Sequence, residues 1–128
     1  PDHELLTETS RHVLPKELTF QQAVEASAIA NVMIAALING NLPLAGQLMQ
    51  QDRFHEMYRE KMVPHLSTIR QICEEEGGYG CFLSGAGPTV LAIVPEDHSE
   101  RILRLLRALE PEASIELLQI EREGGQVF

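Results

Sequence analysis

The chain has 128 residues, which is enough for one domain with a single hydrophobic core. Its content of 44% hydrophobic and 23% charged residues is typical of a soluble globular protein. The formal net charge of -9 disfavours a nucleic-acid surface, because a phosphate backbone is bound by clustered Lys and Arg and the basic residues here are scattered.

The cysteines and apolar runs set the expected compartment. Cys73 and Cys81 are too few for a disulfide framework and lack Cys-x-x-Cys spacing, so we expect buried thiols in a reducing, cytoplasmic environment. The longest apolar run, Val32 to Ile38, is far shorter than the roughly 20 residues of a membrane span, so no membrane partner is expected. The sequence begins at Pro1 without an initiator Met, and we expect a domain excised from a longer chain.

Helices are predicted in the first third of the chain. Leu5 to Leu14 forms a short helix that ends before Pro15, because the residue before proline is disfavoured in the α region. A capping-box pattern at Thr19 to Gln22 opens the longest helix, which runs to about Asn39. This helix carries apolar residues on two stripes, so it is predicted to be buried on most sides.

The middle of the chain alternates helices with a polar connection. Asn41 is predicted to cap a short helix. Residues Asp52 to Val63 are polar, mixed in charge and without a clean period, which predicts an exposed surface connection. Pro64 starts another helix, which ends at the glycine pair Gly77-Gly78.

Strand-forming residues dominate the last third. Tyr79 to Leu83 and Val90 to Val94 are short, rich in β-branched and aromatic residues, and bounded by Gly and Pro. A helix follows up to Leu109, and Ser114 to Ile120 is predicted to be the last strand. Helices followed by β-β-α-β predict an α+β fold with helices packed on one face of a small, mostly antiparallel sheet.

The loop between the first two predicted strands requires backbone conformations that favour glycine. Between the first two strands lies Leu83-Ser84-Gly85-Ala86-Gly87-Pro88-Thr89. We expect Gly85 or Gly87 to have a positive φ, which would let backbone N–H groups converge on an anion or on a neighbouring loop. From its glycines alone, an ordinary tight turn between antiparallel strands remains the simpler interpretation.

Three motifs together resemble a known family. Ser84 to Thr89, between hydrophobic strands, resembles the third conserved motif of the GHMP kinases, which act on small molecules. Thr7 to Pro15 resembles the Thr-x-x-x-Arg-x-x-Leu-Pro segment of homoserine kinases, and His55 to Arg59 resembles their His-x-x-Tyr-Arg segment. Their order and spacing also resemble the family's, which implies the fold of a GHMP kinase C-terminal domain spanning residues 1–128.

The resemblance implies two groups of site residues and no assignable catalytic residue. The group implied to bind the substrate is Thr7, Arg11 and Arg59. The group implied to support the phosphate loop of the other domain is Ser84, Gly85, Ala86 and Gly87. An arginine suits the first role because its guanidinium offers a bidentate fork for a carboxylate.

The same resemblance implies substrates and partners. Homoserine kinases phosphorylate the L-homoserine hydroxyl with ATP in threonine biosynthesis, using Mg²⁺. The family's ATP loop and acidic magnesium ligand belong to the N-terminal half and have no counterpart here, so the chain alone is expected to be inactive. The N-terminal domain is therefore an expected partner, and a homodimer is left open.

Metal sites and other functions complete the expectations. The five histidines show no ligand spacing, so no protein-ligated transition metal is expected.

One alternative function is the C-terminal domain of a different GHMP kinase, because the Gly-Ala-Gly-Pro loop is shared across that superfamily. The other is a regulatory amino-acid-binding module, because β-α-β units with antiparallel sheets commonly serve as such sites.

Overall fold

The structure is a computed structural model that describes residues 7–120 and 123–125, except for the side chain of Thr7. Within these residues, helices and two strands follow in the order α1 (Thr7–His12), α2 (Phe20–Ile38), α3 (Leu42–Met49), α4 (Glu56–Arg59), α5 (His65–Glu75), β1 (Gly80–Leu83), β2 (Val90–Ile93) and α6 (Glu96–Leu109). A 3₁₀ turn, Glu60–Met62, joins α4 to the segment before α5. Helices pack against a small antiparallel sheet, which confirms the predicted fold class.

The beginnings of α2 and α3 are fixed by local side-chain caps. The Gln22 backbone N–H donates to Thr19 Oγ1 at 3.3 Å, and the Thr19 N–H donates to Gln22 Oε1 at 2.9 Å. Asn41 Oδ1 accepts from the backbone N–H of Leu44 at 3.2 Å. Both predicted caps are confirmed, because each satisfies N–H groups that have no partner within the first turn of a helix.

The hydrophobic core lies between α5, the hairpin and α6. Cys81 and Leu83 project from the same face of β1 because strand side chains alternate. They pack against helix residues in one cluster, whose buried members are Val63, Leu66, Cys73, Cys81, Leu83 and Ile102. This cluster fixes the position of β1, and with it the beginning of the loop that follows.

Two glycines allow α3 to approach β1 at backbone distance. A Cβ placed on Gly46 would overlap the carbonyl oxygen of Tyr79, and one placed on Gly80 would lie 2.7 Å from the Gly46 Cα. Neither position can hold a larger residue without moving the main chain. This contact seats α3 directly on the strand.

Side chains close the outer edge of β1. The N–H of Cys81 donates to Gln50 Oε1 at 3.1 Å, and the N–H of Leu83 donates to Glu56 Oε2 at 2.6 Å. The carbonyl of Cys81 accepts from Arg70 Nε at 3.3 Å. Backbone groups that a neighbouring strand would otherwise satisfy are therefore paired with side chains.

The predicted burial of α2 is wrong. Ala26 and Ala36 are its buried residues, whereas Phe20 at one end is 87% exposed and Ile38 at the other is 81% exposed. Asn31, near the middle of this helix, is also exposed. Among the described residues α2 is also the one helix long and apolar enough to cross a bilayer, criteria that a core helix of a soluble protein also meets.

The predicted strand from Ser114 to Ile120 is wrong for the described part of the chain. There the sheet consists of β1 and β2, and residues 114–120 join no ladder. Leu118 and Ile120 are 70% and 84% exposed. Strand-like composition produces a strand only when a partner supplies hydrogen bonds and a face to cover, and the described residues supply neither.

Candidate functional site

The loop between β1 and β2 is held in a tight shape by its own backbone. The N–H of Ser84 donates to the Thr89 carbonyl at 2.9 Å, and the N–H of Gly87 donates to the Ser84 carbonyl at 3.3 Å. Gly85 has φ 65° and Gly87 has φ 81°, which confirms the prediction of a positive φ. Residues with a Cβ rarely adopt this conformation, so the loop shape depends on both glycines.

Three helical elements hold the carbonyl side of this loop. The contacts come from α1, α4 and α5, and they are Ser10 Oγ with the Ala86 oxygen at 3.2 Å, Arg59 Nη1 with the Gly85 oxygen at 3.2 Å, and His65 Nε2 with the Pro88 oxygen at 3.1 Å. Within the described residues, the N–H groups of Gly85 and Ala86 make no hydrogen bond. Side chains therefore fix the carbonyls of the loop, while the N–H groups of Gly85 and Ala86 stay available as hydrogen-bond donors.

Arg59 is the central cation of this arrangement. Its residue is 8% exposed, its Nε donates to the Ser10 carbonyl at 3.1 Å, and its Nη1 donates to Gly85. The prediction that Asp52 to Val63 is an exposed connection is therefore wrong at α4. The reason is that polar side chains can be buried when backbone groups satisfy them, which hydrophobic patterning does not reveal.

A second arginine, Arg70, has carboxylate partners that balance its charge. Arg70 Nη2 lies 2.6 Å from Glu56 Oε1, and Arg70 Nη1 lies 3.6 Å from Glu60 Oε1. Arg59, in contrast, has no carboxylate partner among the residues that the structure describes. A buried charge without a counter-ion is costly, so the Arg59 guanidinium is suited to receive an anion.

The other two predicted substrate contacts lie on α1. Arg11 is exposed and follows Ser10, the residue that contacts the loop at Ala86 and accepts from Arg59. In the described part of the chain the Arg11 guanidinium forms no hydrogen bond or ion pair, and the residue is open to solvent. Thr7 begins α1, and its side chain lies outside the described residues.

The turn before α4 positions Arg59 on its helix. Asp52 Oδ2 accepts from the backbone N–H of His55 at 2.7 Å and of Glu56 at 2.6 Å. His55 Nδ1 is buried without a hydrogen-bond partner in the described structure, and its Nε2 is 4.0 Å from Asp52 Oδ2. Asp52 therefore satisfies two backbone N–H groups where α4 begins, although it is not the N-cap residue of that helix.

Sequence reasoning missed several residues that build this site. Ser10 and His65 contact the loop, while Glu56 and Arg70 anchor β1 where the loop begins. Ser10 stands beside Arg11 and Glu56 stands inside the His55 to Arg59 motif, but neither has a partner that could be read from local spacing. Their contacts reach 76 and 27 residues along the chain.

Neither a metal site nor a cysteine thiol is among the groups that contact the loop in the described residues. Within residues 7–120 and 123–125, no cluster of three or more His, Cys, Asp and Glu could hold a metal ion. Cys73 and Cys81 are free and buried in the core. A hydrogen bond with the Cys73 thiol, together with burial, raises the pKa of Cys81 above its ordinary value.

Known proteins to which this chain is similar include several homoserine kinases. A homoserine kinase of Enterococcus faecalis is 54% identical over 128 residues, covering 100% of this chain and 45% of that protein. A homoserine kinase of Listeria innocua is 49% identical, covering 100% and 44%. The crystal structure of a homoserine kinase from Cytophaga hutchinsonii superposes with a TM-score of 0.74 at 27% identity, covering 84% of this chain and 34% of that one.

These comparisons also give the extent of the match. The chain spans less than half the length of these relatives. Residues 33–111 match the family described as GHMP kinases C terminal, and this range includes Arg59 and the whole loop from Ser84 to Thr89. The chain belongs to the GHMP kinase C-terminal family.

Proposed function

We propose that the chain works as the C-terminal domain of a homoserine kinase, an enzyme that transfers the γ-phosphoryl group of ATP to the L-homoserine hydroxyl in threonine biosynthesis. The relatives named homoserine kinase support this proposal, because their similarity covers all 128 residues. We propose further that the reaction takes place in the cytoplasm.

The buried Arg59 is the observation that carries the proposal. Its guanidinium is fixed by the carbonyls of Ser10 and Gly85, and no carboxylate neutralises it among the described residues. The substrate carboxylate or the transferred phosphoryl group would complete its hydrogen bonding. Arg11 and Thr7 would supply further contacts from α1, with Arg11 providing a second guanidinium at the solvent side.

The loop would contribute through its backbone. With the carbonyls of Gly85 and Ala86 engaged by Arg59 and Ser10, the N–H groups of these two residues remain as donors. Ser84, Gly85, Ala86 and Gly87 would then support a phosphate-binding loop of another domain. Phosphoryl transfer depends largely on positioning and charge stabilisation, and fixed guanidinium and N–H groups supply both.

ATP and Mg²⁺ would be held mainly by a part of the protein that this chain does not contain. The described residues offer no cluster suited to a metal ion. Mg²⁺ would neutralise the phosphate charge when bound, while the residues of this chain bind and orient the acceptor. We propose that residues 1–128 form one domain, that an N-terminal domain with the ATP loop is its partner, and that the enzyme is a homodimer.

A chimeric enzyme tests the proposal. The matching C-terminal part of the Enterococcus faecalis relative is replaced by this chain, which is 54% identical to it. Release of ADP is followed with L-homoserine, L-serine, L-threonine and mevalonate, using the unmodified relative as the control. We expect turnover with L-homoserine at the highest kcat/KM.

The substrate profile distinguishes the alternatives. Preference for mevalonate or another alcohol would assign the chain to a different GHMP kinase. A folded chimera that binds an amino acid but has no phosphoryl transfer would favour the regulatory module instead. Either result would contradict the proposed function.

A further inference from the structure

Glu56 and Arg59 carry opposite charges on one turn of helix, yet they do not pair with each other. They are the first and last residues of α4, and oppositely charged residues three apart on a helix are neighbours that commonly form ion pairs. Among the described residues the Glu56 carboxylate contacts Arg70 and Leu83, whereas the Arg59 guanidinium contacts backbone carbonyls. Something therefore keeps these two buried charges apart.

Both side chains reach the same short stretch of backbone. Glu56 Oε2 accepts from the Leu83 N–H at 2.6 Å, and Arg59 Nη1 donates to the Gly85 oxygen at 3.2 Å. Leu83 and Gly85 are two residues apart, so their Cα atoms lie within about 7 Å of each other. The Glu56 carboxylate is thus close enough to Arg59 for a change of side-chain rotamer to pair them.

Arg70 holds the Glu56 carboxylate on β1. Its Nη2 lies 2.6 Å from Glu56 Oε1, and its Nε donates to the Cys81 carbonyl at 3.3 Å. The pair is therefore attached to the strand twice, at Cys81 through the arginine and at Leu83 through the carboxylate. Arg70 belongs to α5, which contributes buried residues to the hydrophobic core, so this anchor is part of the packed interior.

The charge available at Arg59 depends on this anchor. While Glu56 pairs with Arg70, the two charges balance and the Arg59 guanidinium stays without a carboxylate. If the same carboxylate turned to Arg59, it would neutralise the cation and occupy its N–H donors. An anionic ligand would then have to displace a buried carboxylate before it could bind.

We propose that Arg70 is a positioning residue for the anion site. It retains the Glu56 carboxylate on β1 and so leaves Arg59 free for an anionic ligand. Arg70 acts through Glu56 and does not itself need to touch the substrate. The identity of the ligand, a substrate carboxylate or a phosphoryl group, rests on the proposed function, whereas the competition between Arg70 and Arg59 for one carboxylate does not.

Three variants of the chimeric enzyme separate this role from a purely structural one. Arg70→Met removes the cation that holds Glu56, and the double variant Glu56→Gln/Arg70→Met also removes the competing carboxylate. Glu60→Gln is the matched control, because Glu60 lies 3.6 Å from Arg70 but is 46% exposed and forms no hydrogen bond with β1 in the described structure. Kinetics are measured at a temperature where circular dichroism shows every variant to be folded.

We expect Arg70→Met to lower kcat/KM for L-homoserine by about tenfold, the scale of one charge-assisted hydrogen bond. The double variant should regain most of this loss. The reason is that a glutamine at position 56 has no charge to neutralise Arg59, and its oxygen can still accept from the Leu83 N–H. Glu60→Gln should keep the kcat/KM of the unmodified chimera.

The opposite kinetic outcomes overturn the proposal. A pair that only stabilised the fold would leave kcat/KM of folded Arg70→Met unchanged. An equal loss in the single and double variants would show that the Glu56 charge is not the cause. A comparable loss in Glu60→Gln would assign the effect to general charge around Arg70.

Nuclear magnetic resonance of the 128-residue chain gives a readout that needs no kinase activity. The Arg59 Nε–H signal should shift in Arg70→Met, return toward its wild-type position in the double variant, and stay in place in Glu60→Gln. An unchanged signal in Arg70→Met would overturn the proposal. A folded chimera that does not phosphorylate L-homoserine would contradict the proposed function, and this signal would still decide the role of Arg70.

Discussion

Arg59 Nη1 donates to the carbonyl oxygen of Gly85 at 3.2 Å, while Nε of the same side chain donates to the carbonyl of Ser10. One buried cation thus joins α1 to the glycine loop. The contact gives Arg59 a structural role in addition to any role in binding an anion. Stability and activity therefore have to be measured separately at this position.

Removal of the Arg59 fork should destabilise the fold. Arg59→Met leaves the carbonyls of Ser10 and Gly85 without their donor, so we expect the free energy of unfolding to fall by about 2 kcal/mol or more. Urea denaturation followed by circular dichroism measures this change. Arg53→Met is the matched control, because Arg53 is exposed and its ion pair with Glu25 is worth under about 1 kcal/mol.

The contact between α3 and β1 should tolerate no side chain. Gly46→Ala would push a Cβ into the Tyr79 carbonyl, and we expect a loss of about 3 kcal/mol because two backbones must separate. Gly85→Ala is the comparison, since a Cβ there meets no atom within 4 Å and adds only the strain of a positive φ, about 1 kcal/mol. Equal losses in thermal denaturation would contradict this difference.

The buried Glu56 carboxylate should contribute more to the free energy of unfolding than carboxylates on the surface do. Glu56→Ala leaves Arg70 without its 2.6 Å partner and the Leu83 N–H without its acceptor, with an expected loss of about 3–5 kcal/mol. A double-mutant cycle with Arg70→Met measures the coupling. We expect the double variant to lose less than the sum of the two single variants, and strict additivity would argue against a coupled pair.

The core thiols should resist alkylation. Burial slows access to Cys73 and Cys81, and the raised pKa of Cys81 leaves little thiolate at neutral pH. We expect iodoacetamide to modify neither residue in the folded chain at pH 7.5 and both in urea, as measured by mass spectrometry.

The chain alone should bind ATP poorly. The described residues provide donors from one loop and two arginines, but no metal cluster. Isothermal titration with ATP and Mg²⁺ should show no binding at micromolar concentration. Micromolar affinity for the isolated chain would mean that this part of the protein contains a nucleotide site of its own.

Structural features that depend on a few adjacent residues were predicted correctly from the sequence. Thr19, Asn41 and the two loop glycines were identified because a cap or a positive φ depends on a few adjacent residues. Both strands of the hairpin lie within their predicted ranges. The resemblance implied site residues on α1, on α4 and in the loop, and contacts of Ser10 and Arg59 join these three elements.

Features that depend on distant partners could not be predicted in this way. The apolar composition of α2 predicted burial, but the described residues cover one of its faces only. The polar composition around Arg59 predicted exposure, but backbone carbonyls of two other segments accept hydrogen bonds from its guanidinium and the residue is buried. Residues 114–120 have strand composition, but no other segment that the structure describes pairs with them. In each case the outcome depends on a surface from elsewhere in the molecule.

The roles of the two arginines can be measured in the chimeric enzyme. Arg11→Lys and Arg59→Lys keep the charge but lose the bidentate fork, and Arg53→Lys is the control away from the loop. A charge-assisted hydrogen bond is worth roughly 1.5–3 kcal/mol, so we expect kcat/KM for L-homoserine to fall about tenfold or more in each. Arg11→Lys is the cleaner variant, because an exposed side chain should change the unfolding free energy by less than about 1 kcal/mol.

Steady-state kinetics of Arg11→Lys and Arg59→Lys with L-homoserine is the measurement that tests the proposed anion site most directly. The site predicts that both folded variants lose kcat/KM while Arg53→Lys keeps it. Unchanged kinetics in both variants, at normal thermal stability, would contradict the assignment of these arginines to the substrate.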